Sequence, residues 1–191
     1  MQVLKDELRH RIMVEAQHLF LQRGYDRTSL QMIADKVNIS KSNLYHYFKS
    51  KEDLFYELTD SAAEGLKKLL MRFRDKRFDP RTGAREYQVL LTEEVTSLLL
   101  NEKYGLLLIM EQASGTRYEG LRASLIEIFA AKTAPLIADE DNRDLLSRIM
   151  AQNLIHGVIQ IMKSRMRPRE VRQSITLLVQ YHTDGINALI G

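Results

Sequence analysis

The sequence of 191 residues has no cysteine, no tryptophan and little proline or glycine. Without cysteine, a disulfide-stapled secreted scaffold and a cysteine-ligated zinc site are both excluded, and a reducing cytoplasm is the expected location. With three prolines and nine glycines the chain has few helix breakers, which favours a mostly helical fold. No apolar run reaches the roughly 18 residues of a membrane span, and the first residues contain no apolar signal core. We therefore expect no association with a membrane.

The charges of the chain nearly balance. There are 28 basic and 25 acidic residues, a net charge of +3, and 45% of the residues are hydrophobic, which is ordinary for a folded protein. A partner attracted by bulk charge alone is not predicted. A nucleic-acid partner would have to be argued from the local placement of side chains.

Apolar residues recur three or four positions apart along most of the chain, and no strand-like alternation of useful length is present. This spacing predicts an all-α fold of about nine helices. The predicted helices lie near 4–23, 28–37, 41–47, 51 to the mid-70s, 85–101, 103–113, 118–133, 142–166 and 169–190. Pro80 and Gly83 interrupt the pattern within 75–84.

Three helix starts follow one another closely after Gly24. Thr28 precedes Gln31 by three positions, the spacing of a capping box. Ser40 and Ser50 can each accept hydrogen bonds from the exposed N–H groups of the helices that follow them. Two short helices and one long helix are therefore expected between 28 and the mid-70s.

Ala34, Asn38 and Leu44 have the relative spacing 0, +4 and +10 of a helix-turn-helix. The first position must be small because the second helix crosses closely over it, and the second must tolerate a left-handed turn, as Asn does. The third must be apolar to hold the second helix on the first. The spacing predicts a helix-turn-helix whose second helix starts at Lys41.

The outward face of that second helix is polar and aromatic. It consists of Lys41, Ser42, Asn43, Tyr45, His46 and Tyr47. These donors, acceptors and rings suit base edges and phosphates in a major groove, and the stretch from Asn38 through Lys51 has three lysines and no acid. The spacing alone leaves a second interpretation open, a helical hairpin whose polar face is only solvated.

Residues 12–54 resemble the N-terminal DNA-binding region of the tetracycline-repressor (TetR-type) family of bacterial transcription regulators. The matching residues are Ala16, Phe20, Gly24, Tyr25, Thr28, Ile33, Ala34, Val37, Ser40, Leu44, Tyr45, Phe48, Lys51 and Leu54. Asn38 departs from the glycine that is usual at the turn. The resemblance implies a three-helix DNA-binding domain at 1–50 and a helical ligand-binding and dimerisation domain at 51–191, with helix 51–75 connecting them.

The resemblance also implies roles for individual side chains in DNA binding. Lys41, Ser42, Asn43 and His46 would face base edges, while Thr28, Tyr45, Tyr47 and Lys51 would bind phosphates. Independently, Lys51 lies in the first turn of its helix, where free N–H groups and the helix dipole attract an anion. For the tyrosines, burial in the core is the alternative.

One helix-turn-helix reads only a few base pairs, so a symmetric dimer on a palindromic operator is expected. The two C-terminal helices carry apolar stripes that could form a four-helix bundle with a second copy, or could pack only within their own subunit. The first stripe is Leu145, Leu146, Ile149, Met150, Leu154, Val158, Ile161 and Met162; the second is Val171, Ile175, Leu178, Val179, His182, Ile186 and Leu189. Gly157 and Gly185, inside these helices, predict close helix crossings.

The resemblance further implies a pocket for a small-molecule effector in the C-terminal domain. Residues that could line it are Tyr87, Tyr104, Met110, Phe129, Asn153, His156 and Met162. Apolar and aromatic side chains at helical spacing are also ordinary core residues, and that alternative stays open.

The sequence predicts no catalytic residue, no metal ligand and no cofactor. Its five histidines lack the H-E-x-x-H spacing, and no nucleophile elbow, phosphate loop or dinucleotide fingerprint is present. The expected function is a ligand-responsive homodimeric regulator, most simply a repressor that an effector releases from its operator. An all-helical interaction adaptor that does not bind specific DNA is the main alternative, and a small helical enzyme is a third.

Replacing Lys41 and Asn43 by alanine is expected to change which DNA sequences are preferred, because base contacts carry the specificity. Lys51→Ala is expected to weaken binding to all sequences alike. Enrichment of sequences from a DNA pool, with affinities measured at several salt concentrations, checks both. If neither change alters DNA affinity, the recognition helix is wrongly assigned.

Overall fold

The computed structural model describes residues 2–75 and 84–189, with side chains for 4–72, 88–89 and 91–189. These residues form eight α-helices and one short 3-10 helix, Ala134–Leu136, and no strand occurs among them. The helices are α1 (Gln2–Arg23), α2 (Leu30–Val37), α3 (Lys41–Leu44), α4 (Lys51–Asp75), α5 (Ala84–Glu111), α6 (Leu121–Thr133), α7 (Arg143–Lys163) and α8 (Pro168–Asn187). The predicted all-α fold is confirmed. The predicted breakers Pro80 and Gly83 lie outside the described residues.

Two of the predicted helices are one helix in the structure. The helices predicted at 85–101 and 103–113 form the continuous α5, which departs from helical dihedral angles only at Glu102 (φ −124°, ψ 23°). The interruption in the apolar pattern therefore marks a kink and not a helix end.

Caps define the short helices near the N-terminus, with one correction. Ser29 and not Thr28 caps α2, since the Ser29 hydroxyl accepts from the N–H of Met32 at 3.2 Å. The Thr28 hydroxyl donates instead to the carbonyl of Gly24 at 2.8 Å. The helix predicted at 41–47 is helical only to Leu44 and continues as a turn.

The chain divides into two compact units, each built from two segments. The first, here called the N-terminal unit, consists of Met1–Glu64 and Tyr104–Gly120. The second, here called the C-terminal unit, consists of Gly65–Lys103 and Leu121–Gly191. Helices α4 and α5 each contribute residues to both. Among the described helices, none combines the length and apolar composition that a membrane span requires.

The N-terminal unit has an aromatic and aliphatic core. The rings of Phe20 and Phe55 meet edge to face at 5.3 Å, and Tyr25 lies 5.0 Å from Phe55. Leu108, from the second segment, is fully buried in the same core. A Cβ at Gly105 would lie 2.7 Å from the Cβ of Ala62, so α4 and α5 approach closely there.

In the C-terminal unit, α7 packs against both α6 and α8. The Leu178 side chain lies over Gly157, where a Cβ would come within 2.9 Å of it. The crossing predicted at Gly157 is thus filled by a side chain and not by a neighbouring backbone. The crossing predicted at Gly185 is wrong for this chain, since no described atom lies within 4 Å of a Cβ built there.

The turn between α2 and α3 yields a stability prediction. Asn38 is exposed and has φ 59° and ψ 49°, the left-handed conformation. Asn38→Ala is expected to lower the free energy of unfolding by about 1 kcal/mol, because alanine is strained at positive φ. Asn38→Gly should be near neutral in the same urea titration. Equal losses in both variants would contradict a conformational origin.

Candidate DNA-binding site

The site is built around α3, which is a single helical turn. Ala34 is fully buried on α2, and Asn38 turns the chain so that the N–H of Ile39 donates to the carbonyl of Ala34 at 3.0 Å. Leu44 is 0% exposed and Phe48 is also buried. Since α3 lies on the core through Leu44, its opposite side faces outward.

Capping fixes the start of α3. The Ser40 hydroxyl accepts from the N–H of Asn43 at 3.1 Å, which satisfies one of the unpaired donors of the helix N-terminus. Lys41 and Ser42 follow directly and are exposed, while Asn43 is half-buried. These three side chains form the first part of the surface that is predicted to contact base edges.

The turn after α3 carries the rest of that surface. Tyr45 is 47% exposed, His46 is exposed and Tyr47 is half-buried against the core. The ammonium of Lys41 lies 5.9 Å from the centroid of the Tyr45 ring, within cation–π range. The six predicted residues from Lys41 to Tyr47 therefore belong to one short segment with no buried side chain among them.

Thr28 and Lys51 are placed differently from the other predicted residues. Thr28 is only 2% exposed, and its hydroxyl is turned inward to Gly24. The ammonium of Lys51 donates to the carbonyls of Tyr25 at 2.7 Å and Thr28 at 2.9 Å, and it lies 4.0 Å from the centroid of the Tyr25 ring. Their phosphate contacts stay predictions, but both side chains already bind the turn that leads into α2.

The electrostatics of Lys51 agree with its half-buried position. Burial lowers the pKa of its ammonium, and the nearby carboxylate of Asp26 partly opposes that shift. The two carbonyl oxygens and the face of the Tyr25 ring place partial negative charge around the ammonium of Lys51, which favours its charged form. The sequence did not predict this role, because Lys51 is separated along the chain from Thr28 by 23 positions and from Tyr25 by 26 positions.

A second connection fastens the same turn to the loop after α5. The N–H of Tyr25 donates to the carbonyl of Gln112 at 3.0 Å. Further along the loop, the Arg117 guanidinium lies 3.9 Å from the Tyr56 ring centroid and pairs with Asp60, and the Tyr118 hydroxyl donates to Asp60 at 2.8 Å. No local sequence signal indicates these contacts, which span roughly 57 to 87 positions.

The predicted effector-pocket residues whose side chains are described are divided between the two units. Tyr104 and Met110 belong to the N-terminal unit, and Phe129, Asn153, His156 and Met162 belong to the C-terminal unit. Tyr104, Asn153 and His156 are exposed, Phe129 is half-buried, and Met110 and Met162 are buried. Phe129 and Met162 line two different small cavities, and the side chain of Tyr87 lies outside the described residues. Within the described part of the chain, no cluster of three or more His, Asp or Glu is placed to hold a metal ion.

Lys51→Met is expected to lower the free energy of unfolding by about 1–3 kcal/mol, because the carbonyl of Thr28 loses its donor and the carbonyl of Tyr25 keeps only the N–H of Thr28, at 3.3 Å. The exposed neighbour Lys49 offers the control, and Lys49→Met should change stability by less than about 0.5 kcal/mol. Urea titration followed by circular dichroism measures both. Unchanged stability of Lys51→Met, with a salt slope of DNA binding reduced by about one, would instead indicate a phosphate contact.

Comparison with known proteins agrees with this geometry. Residues 12–58 match the family model of bacterial regulatory proteins of the tetR family. The uncharacterised HTH-type transcriptional regulator YuxN of Bacillus subtilis is 30% identical over 67% of this chain, which spans about half (48%) of that protein. The HTH-type transcriptional regulator AcrR of Shigella flexneri is 24% identical over 92% of this chain and 89% of its own length.

Solved structures of the same kind share the fold over nearly the whole chain. A TetR-like transcriptional regulator from Rhodococcus sp. RHA1 superposes with a TM-score of 0.57 at 20% identity, covering 93% of this chain and 96% of the other. A regulator of the TetR/AcrR family from Thermobifida fusca gives a TM-score of 0.51 at 25% identity, covering 90% and 95%. Residues 12–58, with the helix-turn-helix geometry of α2 and α3, are thus a tetR-family domain, and the chain has the fold of regulators of the TetR/AcrR family.

Proposed function

We propose that this regulator is a homodimeric repressor that binds a palindromic operator and is released from it by a small-molecule effector. The observation that carries the proposal is the outward face of α3, held in place by the fully buried Leu44. A polar helix face held on a rigid core is what entry into a major groove requires. Such a repressor acts in the cytoplasm, where its operator is.

In this proposal, base edges are read by Lys41, Ser42, Asn43 and His46. A lysine suits the acceptors of guanine and an asparagine suits adenine, so Lys41 and Asn43 are the main candidates for specificity. The phenols of Tyr45 and Tyr47 bind phosphates on either side. Thr28 and Lys51 act by holding the turn before α2. To bind a phosphate, either side chain would have to give up its hydrogen bonds to that turn.

The dimer is supported by apolar side chains that the C-terminal unit leaves exposed. On α8, Leu177 is 59% and Tyr181 69% exposed, and on α7 Leu145 and Ile149 are exposed. In each helix the two residues are four positions apart and so share a face. We propose that these four residues form the face that a second copy of the chain covers.

Only part of the two predicted stripes is available for that face. Ile175, Val179 and Met162 are buried within their own unit, whereas Leu177 and Tyr181 were not in the predicted stripe. Each helix therefore divides its apolar residues between the core and the surface. The proposed dimer face consists of apolar residues that lie at the surface.

Release by an effector needs a difference in its affinity for two states of the dimer. Typical couplings of this kind amount to about 1–3 kcal/mol, or 5- to 150-fold in DNA affinity. Helices α4 and α5, which contribute to both units, are two of the three covalent routes for such coupling. The effector is proposed to bind in the C-terminal unit.

Selection of bound sequences from a random DNA pool by the purified protein tests the proposal. The expected product is a palindrome whose half-sites lie about 34–36 Å, one helical turn, or a multiple of it apart, with affinity that falls steeply as salt increases. Failure to enrich any sequence would overturn it and favour the interaction adaptor.

The same selection tests the dimer when it is repeated with Leu177→Glu. This variant should sediment as a monomer and enrich at most single half-sites, because a carboxylate is costly to bury in an apolar interface. Ile128→Glu on α6 places the same charge at another exposed apolar position and should still enrich the palindrome. If Leu177→Glu stays dimeric, the proposed face is wrong.

A further inference from the structure

Opposite charges join α1 to α4 in the N-terminal unit. The guanidinium of Arg9 lies 2.5 Å from a carboxylate oxygen of Glu57 on α4. The two side chains are 42% and 35% exposed, and an ion pair with this much contact with water adds little to stability by itself. Its effect on the protein therefore depends on what else these side chains hold in place.

The same guanidinium contacts the ring of Phe48. It lies 5.0 Å from the ring centroid, within cation–π range, and it donates to the sulfur of Met13 at 3.6 Å. Phe48 is 3% exposed and belongs to the core of the N-terminal unit. A half-exposed cation therefore lies beside a buried ring, and Glu57 restrains that cation from α4. Arg9, Phe48 and Glu57 are here called the Phe48 clamp.

Phe48 follows directly on the segment that is predicted to contact DNA. Tyr45, His46 and Tyr47 come just before it and form a turn that is not part of α3. The N–H groups of Tyr47 and Phe48 both donate to the carbonyl of Leu44, at 2.9 and 3.1 Å. The turn is therefore anchored by Leu44 at its start and by Phe48 at its end. A displaced Phe48 ring would shift the three side chains that precede it.

We propose that Arg9 and Glu57 are positioning residues of the DNA-binding site. Through Phe48 they hold the turn 45–47 in the orientation that enters the major groove, and neither side chain contacts DNA. This inference rests on the proposed function and adds two residues that the predicted base and phosphate contacts do not include. Loss of the clamp leaves the polar surface present but incorrectly oriented, which lowers affinity for the operator without removing a contact.

The proposal gives an acid a favourable role in binding a polyanion. A carboxylate that acted only through its charge would be repelled by the phosphates, so its removal would raise DNA affinity. A carboxylate that holds Arg9 against Phe48 acts in the opposite direction, because DNA has to order whatever the lost clamp sets free. The sign of the change at Glu57 therefore separates positioning from simple electrostatics.

The deciding measurement is the affinity of the full chain for its selected operator when Glu57 is replaced by alanine. Contacts of this kind correspond to a factor of roughly two to five in an equilibrium constant, and a dimer contains two clamps, so Glu57→Ala should weaken binding roughly tenfold. Glu7→Ala, the same change at an exposed position of α1, should leave the affinity unchanged or raise it. Unchanged or tighter binding by Glu57→Ala overturns the proposal.

Variants of Arg9 test the other half of the clamp. Arg9→Met should weaken operator binding by a similar factor, whereas Arg9→Lys, which keeps the charge, and Arg23→Met, at the exposed end of α1, should retain most of the affinity. The double variant Arg9→Met/Glu57→Ala should bind no more weakly than Arg9→Met, because both act through one contact. Additive losses, or a salt slope reduced by about one in Arg9→Met, which indicates a phosphate contact, overturn the proposal.

A measurement without DNA separates this inference from the proposed function. In protein labelled at histidine and tyrosine, Glu57→Ala should shift the ring resonances of His46 and Tyr45, and Glu7→Ala should not. If these resonances shift but the unaltered protein enriches no DNA sequence, the repressor fails while the clamp stands. If an operator is enriched but Glu57→Ala changes neither the resonances nor the affinity, the clamp fails while the repressor stands. Glu57→Ala and Arg9→Lys keep the test decisive if Arg9→Met does not fold.

Discussion

The candidate DNA-binding surface depends on the burial of Leu44 and Phe48 in the core of the N-terminal unit. A helix of four residues has no stability of its own, because nucleating a helix costs more than one turn of hydrogen bonds returns. α3 exists because these two side chains anchor its inner side, Ser40 caps its start, and Asn38 sets its direction from α2. Its polar side chains face outward because of this anchoring.

The sequence predicted correctly those features that depend on residues close together in the chain. The helix-turn-helix followed from the spacing of Ala34, Asn38 and Leu44, because a close crossing, a left-handed turn and an apolar anchor each restrict the residue type. The capping role of Thr28 was wrong because two neighbouring hydroxyls could each cap α2. Only the tertiary contact of Thr28 with Gly24 decides between them. The ammonium of Lys51 shows the same limit, since no pattern tells which distant carbonyls need a donor.

The C-terminal unit was predicted in outline only. An apolar stripe indicates that a helix face is removed from water, but it does not tell whether the cover is the same chain or another. Val179 and Leu177 are two positions apart on α8, yet the first is buried and the second exposed. A pocket is harder still, because it is defined by space that side chains of several helices leave unfilled. Of the six predicted lining residues whose side chains the structure describes, Phe129 alone borders the cavity lined by Leu91 and His182.

The N-terminal unit is assembled from two stretches of chain separated by 39 intervening residues, Gly65–Lys103. Leu108 and Ala113 of the later stretch complete the core that the earlier stretch begins, and Gln112 binds the turn at Tyr25. A helix-turn-helix cut out at Glu64 would therefore lack part of its own core. Exchange of the C-terminal unit for that of another protein, in evolution or by engineering, has to keep residues 104–120 with the rest of the N-terminal unit or supply substitutes shaped like them.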